Sequence, residues 1–230
     1  MSPSRNVAKK VSRKLWSRLF LIVALVLLSA CARHKAKPAA APVADAPKQL
    51  SQEEIQKAIA QAATPGEKHK ALESMQGKWV AESKFWMDPS KDPETAKADV
   101  DINWILGKRF LEQRYRNQSK KLPFEGIGTL GYDNATSEYV STWIDTMSTG
   151  VHIARGPAGP DPKVIETLGA MACPVSGASM QVRNKTTIVD KNKFTFEMFS
   201  QMPDKPETRA LEIVYTRKGT NAKAAAKKKS

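Results

Sequence analysis

Cysteine is nearly absent from this chain, with two in 230 residues, so at most one disulfide can form and a disulfide-stapled fold is excluded. Histidine is almost as scarce. His34, His69 and His152 are scattered, and no Cys/His cluster has ligand spacing, so neither a metal nor a cofactor is expected. Long apolar runs are missing as well: the stretch Leu19 to Leu28 is about half the ~20 residues that a membrane-spanning helix needs. No G-x-S-x-G elbow surrounds Ser148, so Asp145, Ser148 and His152 are not a recognisable hydrolytic triad. Glu112, Glu125 and Glu197 could supply a carboxylate pair, but nothing in their spacing brings two of them together. No enzymatic activity is expected.

Acidic residues are missing from both ends, and this changes the meaning of the net charge of +14. The leader holds Arg5, Lys9, Lys10, Arg13, Lys14 and Arg18, and the tail holds Lys218, Lys223, Lys227, Lys228 and Lys229. Residues 69–217 are left with a net charge near +1. A nearly neutral folded part removes the main support for nucleic-acid binding.

What is present begins with the leader. A basic segment and a short apolar core precede Leu28-Ser29-Ala30-Cys31, the layout of a signal peptide over residues 1–30. The tetrapeptide resembles the bacterial lipobox, which implies cleavage between Ala30 and Cys31 and a diacylglycerol on the Cys31 thiol. Buried acyl methylenes contribute roughly 0.8 kcal/mol each, and several chains together hold a protein at a membrane. The resemblance therefore implies the membrane as a partner, through Cys31. Ala32 is the next residue, where aspartate would favour the inner membrane, so the expected location is the periplasmic face of the outer membrane. Cys173 is then a lone thiol.

Residues 31–50 are an Ala/Pro-rich linker, stiffened toward an extended form by proline, and residues 218–230 are a Lys/Ala tail of disordered composition. Between them, residues 51–76 read as helical. Ser51 and Glu54 form a capping box, with Ile55, Ala58, Ile59 and Ala62 at helical spacing, which predicts a helix over 52–62. Thr64-Pro65-Gly66-Glu67 repeats the device and predicts a second helix to about Gln76, stopped by Gly77. Together the two helices are expected to cover one end of the strand-rich segment that begins at Gly77.

After Gly77 the period changes from helical to alternating. Strands are predicted at 78–87, 97–106, 108–117, 124–132, 138–146, 150–156, 163–170, 180–189, 193–200 and 209–217, separated by turn signals such as Asp133-Asn134 and Asp190-Lys191-Asn192. No helix-length pattern interrupts them to cross between parallel strands. The expected fold class is mainly β, an antiparallel up-and-down barrel of about ten strands over residues 77–217; a two-sheet sandwich is the alternative.

Gly77-Lys78-Trp79, entering the first strand, resembles the G-x-W signature of lipocalins and related calycin barrels. The resemblance implies structural roles: Trp79 plugging the closed end, with Arg217 of the last strand stacked on it. Three longer strings are more distinctive: Trp104-Ile105-Leu106-Gly107-x-Arg109-Phe110, Pro123-Phe124-Glu125-Gly126-Ile127-Gly128-x-Leu130-Gly131-Tyr132-Asp133-Asn134, and Tyr139-Val140-Ser141-Thr142-Trp143-Ile144-Asp145. They resemble the bacterial domain-of-unknown-function family numbered 1579, placed among calycin-like barrels. That resemblance implies a fold over roughly residues 69–217 and no activity.

Glycines at 126, 128 and 131 inside a strand imply bending, a bulge, or space for a ligand or side chain. Tyr139, Ser141, Trp143 and Asp145 share one face, and Val140, Thr142, Ile144 and Thr146 the other. Both faces mix polar and apolar groups, so periodicity leaves the inner one open. The functional expectation is a small apolar or amphipathic ligand in the barrel. Trp86, Trp104 and Trp143 would form its walls, and Arg114, Asp145 or His152 would orient its polar end. The alternative is a structural or interaction protein of the cell envelope with a filled barrel.

Overall fold

A computed structural model describes residues 50–219. The expected signal peptide, the Ala30–Cys31 cleavage and lipidation site, the linker up to Gln49 and the tail beyond Gly219 lie outside the described residues.

The alternating patterns produce ten strands: β1 Gly77–Phe85, β2 Glu94–Ile105, β3 Phe110–Asn117, β4 Glu125–Asp133, β5 Glu138–Asp145, β6 His152–Pro157, β7 Val164–Ala172, β8 Ser179–Asp190, β9 Lys193–Gln201 and β10 Thr208–Arg217. Each lies within about three residues of its predicted bounds. Every strand pairs antiparallel with its chain neighbours, and β1 pairs with β10, so the sheet closes into a barrel. Closure leaves no unpaired edge.

Register shows which side chains point inward. Trp79 lies opposite Val100, Val100 opposite Tyr115, Tyr115 opposite Gly126, and Gly126 opposite Asp145. Directly opposed residues share a face, and this row includes Trp79, which is wholly buried. The inner face therefore carries Tyr139, Ser141, Trp143 and Asp145. Val140, Thr142 and Ile144 point outward.

The helical segment differs from expectation in three ways. Helix α1, Gln52–Ala63, has the Ser51–Glu54 capping box but buries no residue. Its apolar stripe packs on nothing described, and the helix is held instead at its C-terminal end, where Asn134 donates to the carbonyls of Gln61, Ala62 and Thr64. Thr64 ends this helix rather than starting the next: its N–H reaches the Gln61 carbonyl, and its hydroxyl the Ala60 carbonyl. Helix α2 is a single turn, Glu67–Lys70, in which His69 Nδ1 accepts from the Gly66 N–H. A 3₁₀ turn over Glu73–Met75 comes next. That turn, with Leu72 and Met75 buried beneath it, covers the end of the barrel where β1 begins.

Candidate ligand site in the open half of the barrel

At the covered end Trp79 donates from Nε1 to the Met75 carbonyl at 2.9 Å. Phe194 meets its ring edge-on at 4.8 Å between centroids, and the Arg217 guanidinium lies 4.2 Å over it. Arg217 is itself fixed by donating to the carbonyls of Ser74, Gln76 and Lys191. Gly77 makes room for this, at a φ of +133° that side chains rarely adopt; a Cβ there would collide with Arg217 Nη1. Trp104 belongs to this same end, donating from Nε1 to Glu73 Oε2 at 3.0 Å. The expectation that it lines the ligand wall beside Trp143 is thus corrected: its strand position carries it to the helix-covered rim.

The middle of the barrel is a buried polar–aromatic layer. Gln113 Nε2 donates to the Tyr215 hydroxyl at 3.2 Å, and Tyr215 stacks on Phe194 at 4.1 Å. Burial pushes the Tyr215 phenol far above its ordinary pKa, so it stays neutral at any physiological pH.

Toward the far end the interior opens. Trp143, His152, Met180, Met198, Ser200 and Leu211 all lie on the inward face yet keep accessible surface, so solvent reaches these side chains from the mouth. Trp143 lies flat on β4. A Cβ on Gly126 would collide with its indole, and one on Gly128 would meet its Cε3 at 2.9 Å. These two glycines leave room for a side chain, whereas Gly131 points outward under Phe110. The indole is held by Nε1 donating to Asp145 Oδ2 at 2.8 Å, while Asp145 Oδ1 accepts from the Met147 N–H at 2.8 Å. Tyr115 meets the indole edge-on, and Phe124 packs against Tyr115.

Directly opposite Trp143 on the neighbouring strand β6, His152 Nε2 pairs with Asn184 Nδ2 at 3.2 Å, and that amide nitrogen also lies 3.5 Å from Thr167 Oγ1. His152 sits against Gly169, where a Cβ would come within 2.9 Å of its Cε1. Asn184 is 6% exposed, and its Oδ1 and His152 Nδ1 are buried without a well-formed hydrogen bond. A buried acceptor left unpaired costs about 1–3 kcal/mol, so such a group calls for a donor from outside the chain. Asn184 is not among the residues expected at this site. Its only signal was a polar residue in the β8 alternation Val182-Asn184-Thr186-Ile188, which resembles many outward-facing patterns.

Two other expected site residues lie elsewhere. Arg114 is outward on β3, exposed and bonded from Nε to Glu112 Oε1 at 2.7 Å; alternation places it opposite Gln113 and Tyr115, so it cannot reach the lumen. Trp86 comes directly after the last residue of β1 and lies one position past the inward-facing Phe85, with its N–H bonded to the Ala210 carbonyl. It stands at the rim, outside the wall it was expected to form. The tempting carboxylates are also separated: Glu112, Glu125 and Glu197 pair respectively with Arg114, Arg116 and Arg209 on the outer surface. Two depressions mark the outside of the barrel, one of about 250 Å³ between the end of α1 and Phe110, Tyr132 and Arg155, and one of about 400 Å³ beside Pro162 and Lys191.

Burial lowers the imidazoles of His152 and His69 below the ordinary 6.5. Unfolding restores their ordinary proton affinity, so between the lowered values and 6.5 the unfolded chain holds more protons and stability rises with pH. Thermal melts should therefore move to lower temperature as pH falls from about 7.5 to about 5. His152→Gln should flatten that slope; an unaltered slope would show that His152 does not carry it.

The family described as "Protein of unknown function (DUF1579)" matches residues 64–217. No curated protein matches the chain. Among solved structures, the crystal structure of Rv2717c from M. tuberculosis is 16% identical, with 67% of this chain and 99% of that chain covered and a TM-score of 0.48. A redesigned β-barrel is 14% identical, covering 64% of this chain and 95% of that one, with a TM-score of 0.35.

Proposed function

The chain belongs to the DUF1579 family, and within that family of unknown function we propose that it is a non-enzymatic, calycin-like carrier that holds a small amphipathic molecule in the open half of its barrel. The observation that carries this reading is the Asn184 Oδ1 acceptor, buried and unpaired inside the barrel, next to His152, whose cross-strand neighbour Trp143 begins an aromatic wall with Tyr115 and Phe124. A ligand with an apolar body and a hydrogen-bond donor would fill both requirements. Asn184 Oδ1 is an acceptor without formal charge, which favours a neutral donor on the ligand over a charged one. The same reading includes anchoring through a lipidated Cys31 at the periplasmic side of the outer membrane, supported by the sequence of the leader.

Native mass spectrometry of the full chain, purified in mild detergent, tests the carrier reading. A retained small molecule is expected in the wild type, with occupancy lowered by about tenfold in Asn184→Leu, the equivalent of one hydrogen bond to a buried group. A chain that arrives empty, and stays empty when offered hydrophobic probes, would overturn it. Anchoring is tested separately, by palmitate incorporation in wild type and Cys31→Ala; equal labelling would overturn that part alone.

A further inference from the structure

Because the barrel runs strictly up and down, the loops β1–β2, β3–β4, β5–β6, β7–β8 and β9–β10 all surround the open mouth. Four of them raise large apolar side chains into solvent: Met87 is 79% exposed, Leu122 78%, Met147 80% and Val175 94%. Val151, also in the β5–β6 loop, is 60% exposed. The loops at the covered end are polar, apart from Leu106. A single exposed leucine needs no explanation, but apolar tips gathered from four separate loops around one opening do.

We propose that the mouth docks on the surface of an anionic lipid bilayer, with these tips entering the head-group region. The tips stand apart from one another on different loops, so a protein partner would need a separate matching pocket for each. A bilayer requires only that they reach a common level, since its interface is fluid. Lys120 and Lys121 directly precede Leu122, and neither is ion-paired among the described residues. These two cations are the charge complement of an anionic head-group layer at the Leu122 tip. Since Asp88, Asp92, Asp204 and Glu207 balance Lys91, Lys120, Lys121 and Lys205 over the five loops together, the apolar tips carry the docking. The docked face is the one that opens into the lumen, so an amphipathic molecule would pass from bilayer to barrel without crossing water.

The residues 50–219 close into a barrel whose core is drawn from within that range, so this part folds alone and can be tested without any anchor. It should co-float with vesicles of phosphatidylethanolamine and phosphatidylglycerol. The variant Met87→Ser, Leu122→Ser, Met147→Ser, Val175→Ser should bind at least about tenfold more weakly, with an unchanged thermal melt because the four side chains pack on nothing. Leu106→Ser, at the opposite end, should bind as the wild type does. No co-flotation would overturn the proposal, as would equal binding by the fourfold variant or binding that high salt alone abolishes. A lipid-free dimer that the fourfold variant dissolves would also overturn it and assign the tips to a second copy. The vesicles carry no added ligand, so an empty barrel leaves this result untouched.

Discussion

Trp79→Ala is expected to remove about 3–5 kcal/mol from the stability of the barrel, the usual cost of deleting a buried aromatic. Several losses fall together at this position. The indole is wholly buried, donates to the Met75 carbonyl, carries the Arg217 guanidinium on its face and meets Phe194 edge-on. Without it the 3₁₀ turn loses the bond that fixes it to β1, and Arg217 stands over a cavity. A domain of this size has about 5–15 kcal/mol in total, so the variant should unfold at much lower urea, with an unchanged slope if the transition stays two-state. Arg217→Met keeps the apolar contact but loses three bonds to backbone carbonyls, and should fall between wild type and Trp79→Ala. A loss below about 1 kcal/mol for Trp79→Ala would mean that the covered end does not depend on this plug.

Gly126→Ala is the second large effect, and it couples the fold to the proposed site. An added Cβ would lie 2.6 Å from Trp143 Cη2, inside van der Waals contact, so the indole must leave its place. Overpacking of this kind costs about 1–3 kcal/mol, and here the Trp143 bond to Asp145 goes with it. The double variant Gly126→Ala, Trp143→Leu should recover much of the loss, because the smaller side chain no longer occupies the space above the glycine. Urea titrations of the four proteins in this cycle should give a coupling of about 0.5–3 kcal/mol. Additivity within about 0.5 kcal/mol would show that the glycine serves the bend of the strand and not the seat of the indole. Any molecule retained by the wild type should be lost from Gly126→Ala and from the double variant alike, since both remove the aromatic wall.

The ten strands and their antiparallel order were legible in the sequence because alternation and turn residues act locally: each strand with its turn is specified by its own ten to twelve residues or so. The Ser51–Glu54 box was legible for the same reason. The second helix is shorter than its start signals predict because Thr64 caps the end of the first helix and its carbonyl is bonded from afar, by Asn134 about seventy residues downstream. Trp104 and Trp143 look alike in sequence, yet one is bonded to Glu73 at the covered rim and the other to Asp145 in the open half.

Alternation along each segment was enough to establish which residues share a face, since side chains along a strand alternate whatever the strand packs against. Which face turns inward was decided only when β1 met β10 and the register tied one row together, from Trp79 through Val100, Tyr115 and Gly126 to Asp145. That closure put Trp143 and His152 inside and Arg114 outside. It also buried Asn184 beside His152 with an acceptor unmet, a fact no local pattern can hold, because a polar group is unpaired only with respect to everything that surrounds it.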